Sequence, residues 1–202
     1  MMKKISVHIL DTRNYSFDEL LNFTKISKDE ISFLNDYHSL DTKKEKLISY
    51  YFKKKYVGEW FLDKNGKPLS NNIHFNISDS KGVVAIALSR DNEVGIDIEV
   101  PRPVSSDLIN HVCSEEEIAS IKNNTDFFII WTNKEALVKC LGTGIENNLK
   151  LIPALQFSGK KTFRDEAFYS KTICNQEFVM SITLQSNEDF NYELIIDNVK
   201  TK

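Results

Sequence analysis

Asp97 and Glu99 stand two residues apart in Val94-Gly95-Ile96-Asp97-Ile98-Glu99-Val100. Side chains of an extended chain alternate between faces, so Val94, Ile96, Ile98 and Val100 share one face and the two carboxylates share the other. Two fixed carboxylates that close repel, and a hard cation such as magnesium relieves the repulsion. The plain structural alternative is a half-buried strand with an acidic outer face. A second group of reactive residues is Trp131, Glu135 and Lys139, spaced at i, i+4 and i+8. That spacing puts them on one stripe of a helix. Glu135 is then either a third carboxylate for the cation, with Lys134 and Lys139 meeting an anion, or part of a surface Glu–Lys pair worth about 0.2–0.5 kcal/mol.

These side chains need a strand and a helix to hold them. The apolar spacing predicts a helix over 127–141, with Phe127, Ile130, Leu137 and Val138 facing a core and Gly142 as its C-cap. Strands are predicted over 5–9, 75–78, 83–88 and 94–100, then over 163–169, 178–184 and 192–196. Short helices are predicted over 17–23, 28–33, 107–112 and 114–121, and a long one over 41–56 capped by Asp41 or Thr42. Pro101-Arg102-Pro103 breaks the chain and is the expected boundary between residues 1–101 and 102–202. Val83 to Leu88 and Phe178 to Leu184 occupy similar places in these halves, a weak internal repeat.

The chain of 202 residues is 41% hydrophobic and 27% charged, ordinary values for a globular protein with ample core. A net charge of -3 gives no global pull toward nucleic acid. Cys113, Cys140 and Cys174 show neither a disulfide framework nor zinc spacing, which points to a reducing cytoplasm. The four histidines are scattered. No apolar run suggests a membrane span, and Met1-Met2-Lys3-Lys4 has no apolar stretch after it of the kind a signal peptide needs.

Four blocks occur in one order: Gly66-Lys67-Pro68, His74-Phe75-Asn76-Ile77-Ser78-Asp79-Ser80, Gly95-Ile96-Asp97-Ile98-Glu99, and Phe127 with Trp131-Thr132-Asn133-Lys134-Glu135-Ala136 and Lys139. Together they resemble the 4'-phosphopantetheinyl transferase superfamily, in its single-chain, Sfp-like group. The resemblance implies an α+β fold of two similar halves about a pseudo-twofold axis, each a small antiparallel sheet with helices, with the active site in the cleft between them. It implies transfer of the phosphopantetheine arm of coenzyme A to a serine of an apo acyl or peptidyl carrier protein, releasing 3',5'-ADP, and a monomer that needs magnesium. A non-catalytic homologue that binds coenzyme A or a carrier, and an unrelated metal-dependent phosphohydrolase, are the alternatives.

The resemblance also assigns residues. Asp97, Glu99 and Glu135 become magnesium ligands, and Lys139 and Lys134 add positive charge at the phosphates. Glu117 matches the family's candidate base, although Ser114-x-x-Glu117 also reads as a capping box. Glu135 is the substitute base. Lys67 and Pro68 resemble residues at the adenine and ribose, and Ser78 lies in the phosphate-side block. Lys46, on a helix rich in lysines, is placed near the 3'-phosphate. Asp79 stands where the family usually has histidine. An aspartate there repels phosphates unless it is protonated, turned away or bound to a cation.

Overall fold

The computed structural model describes residues 3–143, 148–155 and 157–199. β1 (Lys3–Asp11) leads into α1 (Phe17–Thr24), which begins with a reciprocal cap between Ser16 and Glu19. The predicted helix over 28–33 is instead a short 3₁₀ turn, Ser32–Asp36. Its anchors Ile31 and Leu34 are both buried, and their spacing of three suits the tighter turn. α2 (Leu40–Phe52) is capped by Ser39, ahead of both predicted caps, and continues as a π-helical turn over Lys53–Val57. A small hairpin follows, β2 (Phe61–Leu62) and β3 (Pro68–Leu69).

β4 (His74–Ser80), β5 (Val83–Ser89) and β6 (Val94–Glu99) come next. The helices α3 (Ser106–Val112), α4 (Glu115–Ser120) and α5 (Asn124–Leu141) then run to Gly142, whose left-handed φ of 72° closes α5. Four strands complete the described chain: β7 (Ser158–Phe163), β8 (Glu166–Cys174), β9 (Val179–Gln185) and β10 (Phe190–Ile196). The single strand predicted over 163–169 spans the end of β7 at Phe163, a two-residue turn and the start of β8. Arg164 and Asp165 both take positive φ and reverse the chain there.

The strands form two four-stranded sheets, ordered β10-β1-β5-β4 and β6-β9-β8-β7. All pairs are antiparallel except β1 with β10. β6 pairs with β9, so sheet membership changes between β5 and β6. β10 returns to the first sheet and lies beside β1. An apolar cluster with Ile5, Val7 and Ile9 from one sheet and Ile96, Ile98 and Ile182 from the other fills the space between them. α1 and α2 cover the first sheet's second face through Leu20, Leu47, Ile48 and Phe52. α5 packs Phe127, Phe128 and Leu137 against the second sheet. The molecule is therefore a mixed α+β protein of small sheets and helices. Among the described residues no helix is long and apolar enough to cross a membrane.

Candidate active site

The second and third motif blocks meet along one seam. Backbone N–H groups of Ile96, Ile98 and Val100 donate to Asn76 Oδ1, Ser78 Oγ and Ser80 Oγ, at 3.0, 3.2 and 3.4 Å. β6 is a sheet edge with free donors, and alternate side chains of β4 satisfy them in place of a neighbouring strand. The same hydroxyls turn to the carboxylates. Ser78 donates to Asp97 Oδ1 at 2.9 Å, and Ser80 donates to Glu99 Oε2 at 2.5 Å. Asn-x-Ser-x-Ser thus grips Asp-x-Glu two residues at a time.

α5 closes the other side. A Cβ on Gly95 would fall 2.0 Å from Ala136 O and 2.5 Å from Cys140 N, so only glycine lets the helix backbone touch the strand. That approach brings Lys139 Nζ to 2.6 Å from Asp97 Oδ1 and 3.0 Å from Ser78 Oγ. Asp97 is therefore buried under α5, so the alternative of an acidic outer face does not hold at this position. Asp97 Oδ2 is buried with no hydrogen-bond partner among the described residues. Burial raises the Asp97 pKa, Lys139 opposes that rise, and the Glu99 charge adds to it. Burial likewise raises Glu135, with Asp97 adding, Lys139 opposing and Glu99 adding. Arg102 Nη1 lies 2.6 Å from Glu99 Oε2.

The three carboxylates thus feel one another's charge across the seam. Among the described residues no group of three or more His, Cys, Asp or Glu is disposed to hold a metal ion as it stands. Internal cations cover Asp97 Oδ1 and Glu99 Oε2 instead. The donor set still fits a hard divalent cation. Every candidate ligand is a carboxylate oxygen, and a buried oxygen of Asp97 is left unsatisfied.

The 4'-phosphopantetheinyl transferase superfamily matches residues 93–191, which include β6, α5 and the whole second sheet. The chain is similar to 4'-phosphopantetheinyl transferase psf-1 of Bacillus pumilus, with 34% identity over 110 residues, covering 50% of this chain and 47% of that protein. It is also 38% identical over 95 residues to 4'-phosphopantetheinyl transferase AcpT of Salmonella typhi, covering 42% of this chain and 50% of that protein. A third relative, the L-aminoadipate-semialdehyde dehydrogenase-phosphopantetheinyl transferase of Candida glabrata, is 27% identical over 171 residues, covering 69% and 66%. The likeness to the 4'-phosphopantetheinyl transferase superfamily thus rests on residues 93–191 and on these relatives. The chain spans from about half to just under two thirds of the length of these relatives.

Other residues singled out by the superfamily pattern fall around the seam. Lys67 Nζ donates to Glu93 Oε2 at 2.8 Å and to Cys140 O at 3.0 Å, which ties the β2–β3 hairpin to the end of α5. Lys67 and Pro68 share a cleft of about 290 Å³ with Glu135, Val138 and Lys139. On the other side, Asp79, Ser80, Glu99 and Arg102 line a larger polar cleft of about 610 Å³. Asp79 Oδ1 accepts from Lys46 Nζ at 2.8 Å, so the acid in the histidine's place carries a cation.

Lys134 is placed elsewhere than its expected contact with phosphates. It has no exposed surface, and its ammonium donates to Val112 O, Leu149 O and Glu117 Oε2 at 2.9, 2.9 and 2.5 Å. All its donors are spent on residues that follow β6. Glu117 Oε2 also accepts from Ser114 N–H at 2.8 Å, so the capping box is real. Sequence reasoning missed Asn76, Ser80 and Arg102 as parts of the site. Alternation in His74-Phe75-Asn76-Ile77-Ser78-Asp79-Ser80 held the signal for the first two. Arg102 was hidden because its two flanking prolines read as a boundary.

Proposed function

We propose that this chain transfers the 4'-phosphopantetheine arm of coenzyme A to a serine of an apo acyl or peptidyl carrier protein and releases 3',5'-ADP. The observation that carries the reading is the seam where Asp97, Glu99, Glu135 and Lys139 converge beside two clefts. Asp97, Glu99 and Glu135 would hold magnesium, which supplies positive charge for the pyrophosphate oxygens and the leaving group. Lys139, already held by Ser78 and Asp97, gives a further fixed positive charge at the phosphates. Lys67 and Pro68 in the smaller cleft support a place there for the nucleotide end of coenzyme A.

The serine oxygen attacks the phosphorus on the pantetheine side, and that phosphorus–oxygen bond of the pyrophosphate breaks. The serine proton needs an acceptor. We assign it to Glu135 rather than Glu117, because Glu117 Oε2 already serves the α4 cap and Lys134. Among the described residues no side chain donates to Glu135.

The order strand, helices, hairpin occurs twice, from β1 to β5 and from β6 to β9. This supports two related halves about a pseudo-twofold axis, with the site at their junction, and a division at residues 90–93. All proposed site residues come from one chain, which favours a monomer. The three cysteines are unpaired, which favours the cytoplasm. The test is incubation with coenzyme A, magnesium and an apo carrier. Mass gain on the carrier with appearance of 3',5'-ADP is expected. Coenzyme A binding without mass gain would make the chain a non-catalytic homologue, and hydrolysis without a carrier would make it a phosphohydrolase.

A further inference from the structure

Asp97 and Glu99 each hold a cation that belongs to the protein. Lys139 sits on Asp97 and is fixed by α5 and by Ser78. Arg102 sits on Glu99 in a different setting. Its side chain is 41% exposed and lies on the wall of the larger polar cleft. Pro101 and Pro103 restrict the backbone on either side of it. Its guanidinium also donates to Val100 O at 3.2 Å and lies 5.0 Å from the Phe128 ring centroid. The buried Phe128 ring backs the guanidinium while it is paired with Glu99.

The cluster sets three carboxyl groups against two internal cations. A divalent ion approaching Glu99 meets a guanidinium that repels it and covers the oxygen it needs. The unsatisfied Asp97 Oδ2 lies in the same cluster and gains nothing from Arg102. We propose that Arg102 is a positioning residue. It is the internal counter-ion of Glu99, a divalent cation displaces it, and its guanidinium then turns to the polar cleft that Arg102 already lines. The metal-free site is held in shape by Arg102, and metal binding frees a positive charge beside the cleft. This inference rests on the cation site proposed above.

The test measures binding of Mn²⁺ to the full chain by electron paramagnetic resonance, with no coenzyme A present. Arg102→Gln should bind Mn²⁺ about fivefold more tightly than the native chain, because the competing charge is gone. Arg102→Lys keeps the charge and should stay within about twofold of native. The melting temperature gives a second readout. Metal-free Arg102→Gln should melt below the native chain, and Mn²⁺ should raise its melting point by more. A role confined to packing would lower both melting points without tightening metal binding. Equal or weaker Mn²⁺ binding by Arg102→Gln, with binding intact in the native chain, would overturn the proposal and leave the cation site standing. A native chain that binds no Mn²⁺, or an Asp97→Asn chain that binds it equally well, would overturn the cation site and this inference with it.

Discussion

Lys46 and Asp79 show how one residue's departure from a family pattern is absorbed by another. An aspartate beside the proposed phosphate site would carry the wrong charge, and Lys46 Nζ at 2.8 Å offsets it. The pair is partly exposed, at 32% and 21% of the side-chain surface, so its worth is modest. Lys46→Met should leave Asp79 unpaired and weaken coenzyme A binding about fivefold, or about 1 kcal/mol. Adding Asp79→Asn to it should recover most of the loss. Calorimetric titration of coenzyme A into the native, single and double variants measures this, and equal affinity of Lys46→Met and native protein would contradict it. Lys134 gives the opposite lesson. It is one residue from Glu135 in sequence, yet α5 turns it to the interior, where it fixes Val112, Leu149 and Glu117. Adjacent helix positions lie about 100° apart, so only one of the two can face the seam.

At the scale of elements, the contact of β6 with α5 decides whether a site exists. Gly95→Ala drives a methyl group into the backbone of Ala136 and Cys140. A cost of about 3 kcal/mol is expected, at the upper end of overpacking penalties because neither neighbour is a flexible side chain. Urea unfolding reads it directly, and a loss under about 1 kcal/mol would show that the strand and helix part easily. Much of this was legible in the sequence. Period-two alternation placed Asp97 and Glu99 on one face, and the helical stripe placed Glu135 and Lys139 together. Gly142 and the Ser114–Glu117 box marked helix ends correctly. Long-range pairing was not legible. Nothing local to β10 says that it returns to lie parallel to β1, and nothing local to β6 says that β4 side chains cover its edge. The turn at Arg164 and Asp165 escaped because it uses positive φ without glycine.

At the scale of the whole molecule, stability should carry the mark of Lys161. It is buried, and its ammonium meets Asn133 O, Asn133 Oδ1 and Pro153 O at 3.2, 2.7 and 3.3 Å, with no carboxylate partner among the described residues. Burial pushes its pKa from 10.5 down to about 7. Between those values the unfolded chain binds the extra proton, so stability from this group rises with pH across that window and is lost as pH falls toward 7. Lys161→Met should remove that slope. Urea unfolding at pH 7 and pH 9 should show the native chain gaining on the variant by on the order of 1 kcal/mol per pH unit. A constant gap would contradict it. The central claim concerns chemistry at the seam, and one measurement addresses it most directly. Apo carrier protein is incubated with coenzyme A and magnesium, and with either the native chain or Asp97→Asn, and its intact mass is recorded. The account predicts the mass of one added phosphopantetheine arm with the native chain and none with the variant, whose fold is retained. Equal mass gain with both chains would contradict it.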